Sequence, residues 1–262
     1  MPKFIRKGLD IMEIRTFGAG GRMEECRRVI LESCDAFQFR RLFLLPIPTS
    51  RDKKLITGTD VGLSELAEEA TLGDAVAGYD IPEGIKEKMA LRGVWVYDGA
   101  LDEELLIRNA EVTARGTLGY ILTNFDRDIT DMRLGIVGYG RIGSCLLRYL
   151  LYLGANVTVY TTRAKTALEL CESGVAASTA FDGLCELDIL INTAPARLLS
   201  DREEENLLSR GTVIDLASGR PFSESEGVVK LASVPEKFYP VSAGRIYAEG
   251  IMKFLSFGGG IC

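Results

Sequence analysis

The residues best suited to chemistry are Gly138-Tyr139-Gly140-Arg141-Ile142-Gly143, spaced G-x-G-x-x-G. Each glycine in that pattern has its own task. Gly138 makes a tight turn, Gly140 leaves the backbone bare so that a diphosphate can approach, and Gly143 lets a helix pack close to a sheet. Free N–H groups and the positive end of the following helix would then face the phosphates. Such a turn works only between a strand and a helix, and the flanking sequence supplies both. Leu134 to Val137 is a short apolar run with two β-branched members, Cys145 to Leu153 is an apolar helix closed by Gly154, and Asn156 to Tyr160 is a second strand. Strand, turn, helix and strand fall in order within about 30 residues, the context that makes the motif informative. Cofactor contacts are therefore expected from Gly138, Tyr139, Gly140, Arg141, Ile142 and Gly143.

The second strand ends in Tyr160-Thr161-Thr162-Arg163. A domain selective for NAD usually places Asp or Glu there, on the ribose 2′-hydroxyl. Two hydroxyls and a guanidinium suit a 2′-phosphate instead, so Thr161, Thr162 and Arg163 predict NADP(H) preferred over NAD(H). The plainer alternative is that Thr162 and Arg163 cap the next helix.

The 262 residues can hold two medium domains and bury a full core. The net charge of −6 argues against a nucleic-acid surface. No apolar run reaches the ~18 residues of a membrane span. Met1-Pro2-Lys3 leads into charged sequence rather than an apolar leader, so the expected compartment is cytoplasmic. Cysteines at 26, 34, 145, 171, 185 and 262 form no C-x-x-C pair and read as reduced thiols, with no metal site expected. The chain has no histidine. The side chain with its pKa nearest neutrality is thus missing, which disfavours histidine-dependent ketone and alcohol chemistry.

Strands alternate with helices along the whole chain: Met12 to Phe17, Glu24 to Cys34, Leu42 to Ile47, Ser64 to Ala70, Ala75 to Ala77, Pro82 to Leu91 and Val94 to Tyr97. Gly18-Ala19-Gly20-Gly21 has the wrong spacing for the fingerprint and reads as a loop. Asp102 to Phe125 is one long helix, with Thr113 and Arg115 on it as substrate candidates. Beyond Arg163 the alternation continues through Lys165 to Ser173, Leu187 to Asn192, Asp201 to Leu208 and Thr212 to Leu216. Loops after these strands lie on the same edge as the glycine turn. Thr193 to Arg197 and Ala217 to Arg220 are accordingly expected to flank the nicotinamide, with Thr193, Ala194, Pro195 and Ala217 as cofactor contacts. A last helix is expected over Arg245 to Phe254, followed by a frayed tail from Gly258.

The fold class that follows is α/β, with two Rossmann-like parallel-sheet domains and a cleft between them. Residues 1–108 form an N-terminal domain on which a C-terminal helix (243–256) packs, and 109–242 form the dinucleotide domain.

Several segments together resemble the dipicolinate synthase family of spore-forming bacteria, in the subunit that carries the dinucleotide domain. They are LGIVGYGRIG (134–143), LGANVTVY (153–160), DILINTAP (188–195), TVIDLAS (212–218), N-x-x-x-T-A-x-G from Asn109 to Gly116, and P-x-x-x-x-P-x-[ST]-A-G from Pro235 to Gly244. The similarity runs from about Leu42 onward. It implies NADP-linked oxidation of a dihydrodipicolinate to the aromatic diacid during sporulation, with a second, flavoprotein-like subunit for partner. A dicarboxylate substrate would want hydroxyls and guanidinium groups, and Thr113, Arg115, Ser218, Arg220 and Ser242 are the candidates. Three positions depart from the family pattern. Val241 stands where a lysine is usual, Glu236 where a glycine is, and Arg115 where an acidic residue is. Two other readings are a reductase of the 2-hydroxyacid dehydrogenase type and a non-catalytic NADP(H)-binding regulatory subunit. Cys145 to Leu153 and Ala243 to Leu255 would serve a homo-oligomer or the core equally well.

Overall fold

The computed structural model describes residues 4–7, 10–33, 39–217, 222 and 225–256. It divides into two compact units, residues 1–109 with 239–262 and residues 110–238.

In chain order the first unit holds β1 (Phe4–Lys7), β2 (Asp10–Thr16), α1 (Gly21–Ser33), β3 (Arg41–Leu44), α2 (Leu63–Glu69), β4 (Asp74–Gly78), α3 (Glu83–Leu91) and β5 (Trp95–Asp98). Helix α4 (Glu103–Asn124) starts in this unit and ends in the second. The sheet order is β1-β2-β3-β4-β5. Strands β2 to β5 are parallel, and β1 adds an antiparallel edge that the sequence does not announce. Successive residues of a strand face opposite sides. Phe43, Leu45 and Val76 accordingly join Leu63, Leu66, Ile85 and Met89 of α2 and α3 in one core.

Strands β3 and β4 are joined at their start by a buried ion pair. Asp74 is fully buried and takes Arg41 at 2.5 Å, the Thr71 N–H at 2.9 Å and Arg40 at 3.4 Å. Burial alone would raise its carboxyl pKa; the guanidinium of Arg41, the Thr71 N–H and Arg40 together outweigh that and hold it below the usual value.

The unit is completed by α9 (Pro240–Ser256), which lies along α1. Gly244 is needed for that approach, because a Cβ there would meet the Arg22 carbonyl and the Glu25 side chain. The helix starts at Pro240, five residues before the expected Arg245. Proline is favoured in a first helical turn, where its missing N–H has no partner to lose, and the closing motif is therefore helical rather than a loop. Tyr247 is buried and donates to the Leu45 carbonyl at 3.2 Å.

Arg245 of α9 and Arg28 of α1 converge on Glu25, at 2.8 and 2.7 Å. Hydrogen bonds from Arg28, then Arg245, bring its carboxyl pKa from 4.5 down to about 2. A lowered carboxyl stabilises the fold above its unfolded pKa, and that contribution disappears as pH falls through the folded value. The melting temperature of Glu25→Gln is thus expected below that of the wild type at pH 6. The gap should close between pH 4.5 and about 2, as read by thermal melts across that range.

The second unit holds β6 (Arg133–Val137), α5 (Arg141–Tyr152), β7 (Asn156–Tyr160), α6 (Ala164–Glu172), β8 (Ala176–Ser178), β9 (Ile189–Asn192), α7 (Asp201–Leu208), β10 (Thr212–Asp215), β11 (Val228–Lys230) and α8 (Val234–Phe238). Its six strands are all parallel, in the order β11-β10-β9-β6-β7-β8. The chain moves outward from β6 to β7 and β8, then returns to the other side of β6 through β9. That reversal is a topological switch point, where open α/β sheets bind ligands at the carboxyl ends of their strands. Leu134, Ile136, Val157, Val159, Ile189, Ile191 and Ile214 pack with α5 and α4 on one face. Val137, Tyr160, Leu190, Leu207 and Val213 form the other core. Gly116, an unusual residue inside a helix, lets α8 close on α4; a Cβ there would collide with Val234. The sequence gives no sign of β8, β11 and α8, which are too short to show a period. Among the described residues no helix is long and apolar enough to cross a membrane.

Candidate dinucleotide-binding site

The glycine turn lies between β6 and α5, and its three glycines can be tested one at a time. Gly138 adopts φ +91°, a conformation that favours glycine, and its N–H donates to the Tyr160 carbonyl at 2.8 Å. A Cβ on Gly143 would collide with the Gly138 carbonyl, so the first turn of α5 rests directly on the loop. Gly140 differs from both: a Cβ there would meet nothing within 4 Å. Nothing in the protein itself therefore requires glycine at 140, and the open space lies where a diphosphate would rest. Gly140 is also the N-cap of α5, which begins at Arg141, four residues earlier than the apolar run implies. The first-turn N–H groups of a twelve-residue helix thus start directly at the turn.

Thr193, just past β9, closes the other side. Its N–H and hydroxyl both reach the Val137 carbonyl at 2.9 Å, and the hydroxyl lies 3.3 Å from the Gly138 carbonyl. Strand ends β6 and β9 are thereby fixed together at the switch point.

At the end of β7, Thr161 is buried and accepts from the Arg163 N–H at 3.3 Å. Thr162 and Arg163 are exposed. Arg163 is the N-cap residue of α6, but its side chain makes no cap and instead donates to the Tyr139 carbonyl at 2.9 Å. The guanidinium therefore lies against the glycine turn. Tyr139 is partly buried, Arg141 exposed and Ile142 partly buried.

Beyond β9, Ala194 is partly buried and Pro195 exposed. Arg197, expected beside the nicotinamide, is engaged at the start of α7. It donates to the Leu199 carbonyl at 3.2 Å and pairs with Asp201 and Glu204 of α7 at 2.5 and 3.0 Å. Two carboxylates and a carbonyl at the start of α7 outcompete open solvent.

Of the five substrate candidates, three lie among the described residues. Thr113 and Arg115 are two residues apart on α4, and such residues do not share a helix face. Thr113 is buried in the second unit. Arg115 is exposed and donates to the Tyr149 hydroxyl of α5 at 2.9 Å. Ser242 belongs to the first unit, on the exposed side of the first turn of α9. Ser218 and Arg220 lie outside the described residues. Ala217, the last described residue before them, donates to Asp215 at 3.2 Å.

Sequence reasoning misses Asp215 and its partner Asn192. They end β10 and β9 in register and are both buried, with Asn192 Nδ2 donating to Asp215 Oδ1 at 2.9 Å. The one available signal is a polar residue closing each of two apolar strands, in LDILIN and TVIDL.

Residues 113–218 match the family described as D-isomer specific 2-hydroxyacid dehydrogenase, NAD binding domain. Fold and match together define the second unit as a Rossmann-type nicotinamide-dinucleotide-binding domain, of the kind that NAD(P)-dependent oxidoreductases carry. The chain is also similar to dipicolinate synthase, the resemblance that its motifs carry. It is 27% identical to the dipicolinate synthase subunit of Bacillus subtilis over 165 residues, 59% of this chain and 55% of that protein. The crystal structure of the corresponding Bacillus halodurans protein superimposes with a TM-score of 0.76 at 21% identity, over 93% of this chain and 97% of that one. Salmonella D-lactate dehydrogenase shares the fold at a TM-score of 0.60 and 12% identity, over 96% and 98% of the two chains.

Proposed function

We propose that the chain is an NADP-dependent oxidoreductase that oxidises dihydrodipicolinate to dipicolinate, working beside a second, flavoprotein-like subunit in the cytoplasm of a sporulating cell. The observation that carries this reading is the turn from Gly138 to Gly143, with bare space beside Gly140 and helix packing that demands Gly143. The name of the relatives supplies the product, and the motif set supports the carry-over.

A bound nicotinamide supplies the hydride acceptor. The chain's part is to hold the diphosphate on the α5 N-terminus, fix the ring between the loops after β9 and β10, and orient a ring carbon of the substrate. The oxidation would take a hydride from that carbon and pass a ring proton to water, with aromaticity as the driving force. Chemistry of that kind suits a protein without histidine, because no strong base is obligatory. Ser218 and Arg220, which follow β10 in the sequence, are proposed to receive the substrate carboxylates. Thr113 and Arg115 are less suited, since one is buried and the other engages Tyr149.

Preference for NADP(H) is proposed to rest on Arg163, with Thr161 and Thr162 as neutral neighbours that do not repel a 2′-phosphate. A charge-assisted hydrogen bond contributes on the order of 1.5–3 kcal/mol, and about 1.4 kcal/mol is tenfold in affinity. Arg163→Ala is expected to lower the NADP-over-NAD ratio at least tenfold in isothermal titrations. An unchanged ratio would overturn the assignment.

The reaction itself is tested with purified chain, dihydrodipicolinate and NADP, with and without a candidate flavoprotein-like partner. Absorbance of the reduced nicotinamide should rise. A flat trace in both arms would sink the proposed activity.

A further inference from the structure

The loops after β9 and β10 are tied by an arrangement that a structural role alone does not account for. Asn192 uses every polar atom of its amide: Nδ2 donates to Asp215 at 2.9 Å and to the Ala194 carbonyl at 3.1 Å, while Oδ1 accepts the Ala194 N–H at 3.2 Å. That set also fixes which amide atom is nitrogen. Asp215 Oδ1 takes the Ala217 N–H as well, at 3.2 Å. An amide pair would have served to link the loops. The chain uses a carboxylate instead, only 2% exposed, and its hydrogen-bond donors here are neutral. The nearest cation in register is Lys230 on β11, whose ammonium is drawn off to the Phe222 carbonyl at 2.8 Å.

Strand order gives the position of this charge. The glycine turn follows β6, the 2′-phosphate candidates follow β7, and the other half of a dinucleotide must extend to the β9 and β10 side of the switch point. Asp215 is the last residue of β10 and supports the loop there. The nicotinamide ring is positively charged when oxidised and neutral when reduced, so a buried negative charge beside it acts on one form only.

We propose that Asp215 is a specificity-determining residue, a buried carboxylate that favours the oxidised cofactor over the reduced one, with Asn192 positioning the two loops that carry it. This rests on the reading of the second unit as a dinucleotide site. At an effective dielectric of about 20, an uncancelled unit charge a few side-chain lengths away changes a binding ratio by about tenfold.

The test measures dissociation constants for NADP⁺ and NADPH, by calorimetry and by nicotinamide fluorescence. Asp215→Asn keeps an oxygen for Asn192 and Ala217 but removes the charge. Its ratio Kd(NADP⁺)/Kd(NADPH) should rise about tenfold over wild type, or about 30 mV in the potential of the bound couple. Asn192→Ser removes the tie and keeps the charge, so both constants should rise by the same factor. An unchanged ratio in Asp215→Asn overturns the proposal, as does an equal shift of the ratio in Asn192→Ser. Should Asp215→Asn not fold, Asp215→Thr and the wild type decide: the wild type should bind NADP⁺ more tightly, and tighter NADPH binding counts against the charge. If the wild type binds neither form, the dinucleotide reading itself falls, a result distinct from any of these.

Discussion

Gly140→Ala is expected to leave the melting temperature of the protein unchanged and to weaken dinucleotide binding by about tenfold to a hundredfold. The two halves of that result come from one observation. Gly140 has φ −98°, which any residue adopts, and a Cβ there has no neighbour within 4 Å. The fold therefore gives no reason for glycine. A methyl group would occupy the space through which a diphosphate reaches the first-turn N–H groups of α5, and overpacking of that order costs about 1–3 kcal/mol. Gly143→Ala provides the contrast. Its Cβ would press on the Gly138 carbonyl, and neither partner is a flexible side chain. That variant should lose binding and also melt several degrees lower. Calorimetric titration paired with thermal melts checks both. Retained affinity in a well-folded Gly140→Ala would remove the observation on which the functional reading rests.

The largest expected loss of stability comes from Arg41→Met. Asp74 is fully buried, and Arg41 is its closest cation. Removing one partner of a buried pair leaves an uncompensated charge and costs about 3–5 kcal/mol. Arg40, at 3.4 Å and well exposed, offsets part of this, so the lower end of that range is expected. The double variant Arg41→Met/Asp74→Leu should recover part of the loss, because replacing both charges leaves nothing unpaired. The Arg41→Met penalty should also shrink in acid, where the stranded carboxyl takes up a proton. Urea unfolding at pH 7 and pH 4 measures all three effects. A double variant less stable than Arg41→Met would show that Asp74 acts through the Thr71 N–H rather than through its charge.

The glycine turn is legible in the sequence because its requirements are local: strand, turn and helix are contiguous, and each glycine answers to a neighbour a few residues away. Helix α4 is equally plain, from Glu103 and Glu104 at its start to an uninterrupted length of 22 residues. What stays hidden depends on register and tertiary competition. Asn192 and Asp215 lie 23 residues apart and meet only because β9 and β10 pair in parallel at those two positions. Proximity in sequence to Thr193 suggests one place for Arg197, while carboxylates on α7 decide its actual position. The divergence of Thr113 and Arg115 follows from helical geometry alone, since two residues turn the chain through about 200°. The closing motif departs from a loop for a different reason: a proline such as Pro240 can close a loop or start a helix, and here packing of α9 on α1 selects the helix.

The first unit is built from both ends of the chain, with residues 110–238 forming the other unit between them. This has a consequence for biosynthesis. Helix α1 leaves the ribosome long before α9, and at about 5–20 residues per second the delay is on the order of ten seconds. Throughout that interval the α1 surface that later receives Gly244 is uncovered, and by its end the continuous middle segment has all of its strands. Released chains truncated after residue 238 should accordingly protect the middle segment from protease and leave the amino-terminal segment open to cleavage.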